Sequence, residues 1–294
     1  MATSGHSGAP RKANPTARRS RKSAPVELPP MERPRQVPTK SSFLLAETIL
    51  RDIVRDRLKP GDPLPAERIM VEKYGMGRTT VREALRLLEY QGAIQIKQGL
   101  NGGPIVQTPN SSHFASTILF LMQMQRTPFR SIVEVRSAIE PMICQLAAER
   151  ISREALDELQ RTIVEMHRIV DEHEATPEFN ELNTRFHNVI AWSSGNPLFQ
   201  YLADSLLDIM DGAVVGVSYS ERSERGVIVA HESILAALRE RDGTAASEAM
   251  QQHLDDWEAY ARRRYPDALD QVIPWTWGGG YRAVIPPAHT ALGK

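Results

Sequence analysis

The chain has almost no cysteine: Cys144 is the single thiol among 294 residues. One thiol excludes an intrachain disulfide framework and a multi-thiolate metal site, and it fits a reducing compartment. Long apolar runs are missing too, since none approaches the roughly 18 consecutive apolar residues of a membrane span. The N-terminus is rich in Pro, Ser and Arg and lacks the apolar stretch of a secretory signal, so the expected setting is cytoplasmic, with no membrane partner. Nor is there an HExxH helix, a cysteine cluster or a nucleophile elbow, which removes the commonest signatures of hydrolytic enzymes.

Net charge is also lacking, at zero overall, but that sum hides an asymmetry. Residues 1–40 hold nine Lys/Arg against two acids, residues 41–108 ten against eight, and the remainder seventeen against twenty-six. A basic front joined to an acidic back suits a nucleic-acid reader attached to a domain that avoids phosphates. What is present is an apolar fraction of 41%, enough to bury the cores of two ordinary domains.

Residues 1–40 combine few apolar residues with many breakers and read as a disordered basic tail. Arg18, Arg19, Arg21 and Lys22 make it either a phosphate-attracting arm or a plain solvated extension. From Ser41 the pattern changes. Leu45, Ile49, Ile53 and Leu58 recur at helical spacing, with Ser41 or Ser42 as N-cap and Lys59-Pro60-Gly61-Asp62 as the stop. A second short helix is expected from Pro65. Gly75-Met76-Gly77 breaks it, and a third follows with Val81, Ala84, Leu85 and Leu88 on one face and Gly92 at its end. The period then switches to two over Ala93–Lys97, turns at residues 98–103, and returns over Pro104–Gln107 as a hairpin.

Residues 41–108 therefore read as a winged helix-turn-helix. The third helix is the one that enters a major groove, presenting Arg78, Thr79, Thr80 and Arg82. Arginine can bond bidentately to guanine, threonine can reach phosphate or base, and the first-turn N–H groups suit a phosphate.

After residue 111 helical patterns dominate to about residue 264. Seven segments are expected, near 112–125, 128–150, 153–174, 177–193, 196–217, 223–240 and 243–264, each break carrying a cap, Pro or Gly. Residues 265–294 read as an irregular C-terminal tail, with Trp275, Trp277 and Tyr281 either docked or loose. The fold class is mainly α: a winged helix-turn-helix domain at 41–108 and an all-α bundle of six or seven helices at 112–264.

The run from Leu58 to Val106 resembles the DNA-binding domain of the GntR family. The matching pieces are Pro60-Gly61, Leu64-Pro65-Ala66-Glu67-Arg68, Tyr74-Gly75, Arg78 through Ala84, Leu85–Leu88, Gly92 and the glycine-containing wing. The resemblance implies that Arg68 contacts DNA from the second helix. It also implies that Arg78 and Arg82 read bases, that Thr79 and Thr80 supply hydroxyl contacts, and that Gln98 and Gly99 sit at a wing tip entering the minor groove. Gly77 stands where relatives often carry Ser or Thr, so one phosphate contact is expected to be missing.

The helical partner resembles the FadR-type effector domain of that family, called FCD. That resemblance implies a homodimer on a palindromic double-stranded DNA operator, controlled by a small-molecule effector, in the first instance an organic acid. It also implies a divalent ion (zinc, nickel or manganese) held by Asn183, His187, His231 and His253. Asn183 and His187 are four apart and share a helix face, while His231 and His253 fall on two other helices. Imidazoles brought together from separate helices of a bundle can converge on one ion. Asn183 departs from the family's usual Asp, and an amide oxygen is a weaker, neutral ligand. Arg136 matches a family arginine facing the effector cavity, where it would pair with a carboxylate; a structural ion pair with a nearby acid is the alternative. The sequence points to a transcription regulator, more readily a repressor, and not to an enzyme. Two other classes stay open at this level: a metal-dependent enzyme using the three histidines, and a non-sensing architectural DNA binder.

Overall fold

The computed structural model describes residues 40–99, 102–108, 111–172, 176–210 and 221–275. The basic tail, Trp277, Tyr281 and residues 211–220 lie outside the described residues.

The first unit of structure is α1 (Ser41–Arg55), α2 (Glu67–Tyr74), α3 (Arg78–Tyr90), β1 (Ile94–Lys97) and β2 (Gly103–Val106). The apolar positions read from the sequence do the packing: Leu45, Ile49 and Ile53 of α1 meet Val81, Ala84, Leu85 and Leu88 of α3, closed by Met70, Ile94 and Val106. The strands pair antiparallel in the register Ile94↔Val106 to Lys97↔Gly103. Gly102 is obligatory there, because a Cβ would stand 2.3 Å from the carbonyl oxygen of Lys97.

Three local expectations are corrected. Lys40, not Ser41 or Ser42, is the N-cap of α1, and both serines lie inside the helix. The second helix begins at Glu67 rather than Pro65. The segment taken as a turn continues as a third strand-like edge: Gly61 N donates to Val106 O at 2.9 Å, Leu64 N to Pro104 O at 2.8 Å, and Pro63 bridges Ile105. Pro63 sits on that edge, where its missing N–H costs nothing, and Pro65 lies between the edge and the start of α2.

Asp52 fastens α1 to the end of α2. It accepts from Lys73 Nζ at 2.7 Å and from the Tyr74 hydroxyl at 2.8 Å. Those two hydrogen bonds, Lys73 first, hold its carboxyl below the usual range. Asp52→Ala should therefore cost this domain about 1 kcal/mol. A depressed carboxylate stabilises above its unfolded pKa and loses that contribution as pH falls through its folded value. Urea midpoints at neutral pH and below pH ~4 should show the mutant's deficit shrinking in acid; a deficit that grows in acid would refute the assignment.

The second unit comprises α4 (Ser112–Gln125), α5 (Arg130–Arg150), α6 (Arg153–Asp171), α7 (Thr176–Ser193), α8 (Pro197–Met210), α9 (Glu221–Arg239) and α10 (Gly243–Arg264). Two of the expected breaks are side-chain caps: Ser152 accepts from Ala155 N at 3.2 Å and Asp242 from Ala245 N at 2.9 Å. Arg241 donates to the carbonyls of Ala148, Glu149 and Ile151, satisfying the end of α5. Helix α5 runs through the middle, packed on α7, α8, α9 and α10. One apolar cluster lies among α5, α6, α7, α9 and α10, and another among α4, α5, α8 and the segment after α10.

The C-terminal segment is not irregular throughout. A 3₁₀ turn at Ala268–Asp270 buries Ala268, Leu269 and, beyond it, Ile273. Trp275 stacks edge-on against Phe120 at 5.5 Å and donates Nε1–H to Ser116 Oγ at 3.1 Å. Among the described residues no helix is long and apolar enough to cross a membrane.

Candidate functional site

On the recognition helix, burial of Val81, Ala84, Leu85 and Leu88 leaves Arg78, Thr79 and Arg82 exposed and Thr80 half-buried. Gly77 is the N-cap, in extended backbone and with no side chain to cap, so it supplies no hydroxyl and the first-turn N–H groups have no side-chain acceptor from it. Arg78 forms no ion pair or hydrogen bond among the described residues. Arg82 is held differently: its Nε donates to Glu67 Oε2 at 2.8 Å, across the turn from the start of α2. Glu67 thus fixes the base of a guanidinium whose Nη edge faces outward. Arg68 is exposed, with Glu72 at 3.4 Å. Gln98 and Gly99 are exposed at the end of β1. Sequence reasoning took Glu67 only as a motif letter. Its contact spans fifteen positions, and no local periodicity reports such a pairing.

In the helical domain, α7, α9 and α10 bring His187, His231 and His253 together. One ligand nitrogen from each lies within 4.8 Å of the others, and all three residues are buried. Helix α7 places His187 because Phe186 beside it is fully buried and stacks on the His231 ring, centroids 3.8 Å apart and planes nearly parallel. His187 and His253 meet edge to edge through their Nε2 atoms, which lie 3.2 Å apart.

The partner of His187 on its other side is Glu140 of α5, whose Oε2 lies 2.8 Å from Nδ1. Glu140 also pairs with Arg136 one turn earlier, and both are buried. Burial by itself would raise the Glu140 carboxyl; the charge of Arg136, then of His187, outweighs it and holds the group well below the usual carboxylate range. Glu140 is placed to accept an Nδ1–H of His187, and the opposite ring nitrogen, Nε2, is turned toward His253. Burial, followed by the neighbouring imidazoles, lowers His231 far below its ordinary value. Burial, then His187 and Arg136, lowers His253 to about 3. Both are neutral imidazoles at physiological pH, the form that ligates metals.

The group leaves buried polar atoms unsatisfied. Neither ring nitrogen of His231 has a hydrogen-bond partner, and neither does Oδ1 of Asn183, one turn before His187. Orphaned buried acceptors of this kind are costly unless something binds them. A divalent cation fits the donor set: three imidazole nitrogens converge, with a carboxylate orienting one of them and an unpartnered amide oxygen one turn away on the same helix. Cys144 adds nothing, since burial first, and Glu140 second, push its thiol up to about 12. Arg136, expected to face an effector, has its Nε on Glu140, while Nη1 and Nη2 hydrogen-bond to no described residue. Glu140 was missed as a site residue, although the Arg136–Glu140 spacing of four on a helix was a readable signal.

Comparison with known proteins follows the same division. Residues 44–100 match the model for bacterial regulatory proteins of the gntR family, and residues 131–256 match the FCD domain. The chain is 29% identical over 239 residues to the HTH-type transcriptional repressor NanR of Cronobacter sakazakii, covering 76% of this chain and 88% of that protein. It is 30% identical over 223 residues to the HTH-type transcriptional regulator YcbG of Bacillus subtilis, covering 74% and 91%. The solved structure of Streptococcus agalactiae GntR superposes with a TM-score of 0.63 at 24% identity, over 75% of this chain and all of that one, which shows the shared fold.

Proposed function

Because the chain belongs to the GntR family of bacterial regulators and carries an FCD domain, we propose that it is a homodimeric transcription repressor whose operator affinity is set by a small organic acid bound beside a divalent ion. The domains are those of transcription regulators, which sets aside the metal-dependent enzyme. Two paired chains present two α3 helices to successive major-groove faces of a palindrome. Arg78 and Arg82 read base edges, Arg68, Thr79 and Thr80 hold phosphates and neighbouring bases, and Gln98 and Gly99 place the wing tip in the minor groove.

The observation that carries the sensing half is the buried group of His187, His231 and His253, in which neither nitrogen of His231 has a partner, together with the unpartnered Oδ1 of Asn183. These four would hold zinc, nickel or manganese, and Glu140 orients His187. The ion, when bound, supplies positive charge and open coordination positions to an effector carboxylate. Arg136 offers its Nη groups to that same acid and its Nε to Glu140. Effector binding shifts DNA affinity only by its differential affinity for the two arrangements of the reading heads. A purely architectural DNA binder has no use for this buried group.

Elemental mass spectrometry on untagged protein purified without chelator tests the reading. About one divalent ion per chain is expected, lost in His187→Ala/His231→Ala. Protein that stays metal-free after incubation with zinc, nickel and manganese would reject the ion and leave the histidines as polar groups.

A further inference from the structure

A cavity of about 590 Å³ lies between α9 and α10, and its lining is out of character with the rest of the domain. Residues beyond 108 carry nine more acids than bases, yet this cavity is lined by Arg222, Arg263 and Arg264 against a single carboxylate, Asp256. Asp256 already accepts from Gln252 Nε2 at 2.9 Å. The three arginines are exposed and pair with no described acid; Arg264 merely lies over the ring of Tyr265, 5.5 Å from its centroid. Elsewhere in the domain, Arg130, Arg161, Arg168, Arg185, Arg225 and Arg262 each pair with a carboxylate. Three guanidinium groups with no acid partner among the described residues, around one concavity, raise the local concentration of anions and offer bidentate donors to an acid group.

The same cavity reaches one of the three histidines. His253 lines it while being buried, and its Nε2 is the one that faces His187. Trp257, half-buried, also lines it and offers an apolar face for a carbon skeleton. The volume is in the range of small-molecule sites.

We propose that the effector is an organic dianion, with one acid group directed inward to the histidine group and a second one held at the rim by Arg222, Arg263 and Arg264. This rests on the metal-linked effector reading for its inner end only. The outer group is a carboxylate or a phosphate, both of which guanidinium binds in the same way.

Calorimetric titration of the full-length, metal-loaded protein with three probes of similar body tests it: gluconate, with one acid group; glucarate, with carboxylates at both ends; and 6-phosphogluconate, with a distal phosphate. Glucarate or 6-phosphogluconate is expected to bind about tenfold or more tightly than gluconate, and the better of the two identifies the outer group. In the Arg222→Gln/Arg263→Gln/Arg264→Gln protein that preference should vanish, with gluconate affinity and metal content unchanged. These side chains are exposed and have no ion-pair partner among the described residues, so the variant should keep its fold. Equal affinity for all three probes, equal loss for all three in the variant, or no binding of any at millimolar concentration would overturn the proposal. Metal-stripped protein separates the two readings. If stripping leaves every affinity unchanged while the arginine variant still loses the preference, the inner anchor is wrong and the rim stands.

Discussion

Glu140→Leu should destabilise the helical domain by about 3–5 kcal/mol, the cost of leaving a buried charge without its partner. Arg136 is 6% exposed and Glu140 4%. No other described residue neutralises Arg136, because its single ion pair is the one with Glu140. The loss should be visible in a metal-free urea titration, so that it is not confused with ligand linkage. A second effect should accompany it. Glu140 holds the Nδ1–H of His187 at 2.8 Å, and removing such an orienting carboxylate weakens metal binding by about 10–100-fold. Arg136→Met in the same chain should restore most of the stability, since an apolar pair replaces a buried ion pair at little cost. It should not restore metal affinity, because His187 would still lack its acceptor. If the single mutant stays within about 1 kcal/mol of wild type, the ion pair contributes little net stability. If the double mutant recovers metal affinity as well, Glu140 acts on the histidines only through the fold.

The second large effect is expected at the reading head. Arg78→Ala and Arg82→Ala should each weaken operator binding by about 1–3 kcal/mol and relax selectivity at one position in each half-site. Arg78 is unpaired among the described residues, so its loss removes a contact and nothing in the free protein changes. Arg82 leans on Glu67, so Arg82→Ala also frees an acid near the phosphates, and its deficit should be the larger at low salt. Fluorescence anisotropy on an operator and on variants of each half-site base, at several salt concentrations, separates the alternatives. Uniform weakening across all sequences, with a salt slope reduced by about one, would reassign either arginine to a phosphate.

Local chemistry made much of this molecule readable from its sequence. The α3 face of Val81, Ala84, Leu85 and Leu88 is a periodicity of one helix and needs no neighbour to be recognised. The caps Ser152 and Asp242 and the stop at Gly92 depend on residues a few positions away. The errors were local competitions. Ser41 and Ser42 both looked like caps, yet the helix begins one residue earlier and absorbs them. Pro65 is an acceptable first helical residue, but pairing with β2 offered its neighbours better hydrogen bonds.

The histidines were found by their resemblance to a family pattern, because no local rule predicts that positions 187, 231 and 253 meet. Their environment was beyond reach of the sequence. That Glu140 would be buried against His187 depends on α5 running through the bundle. That Trp275 and Ile273 close the far end depends on the chain folding back over α4. That Arg222, Arg263 and Arg264 share one cavity depends on α9 and α10 lying side by side.

By itself the sequence determined the order and type of most elements and the outward side of the recognition helix. These follow from spacing, capping and residue chemistry within a few turns of chain. Tertiary structure alone decided which side chains are starved of partners and which are satisfied. Burial and pairing are properties of a packed neighbourhood, and here that neighbourhood is assembled from helices spread along the chain from Arg130 to Arg264.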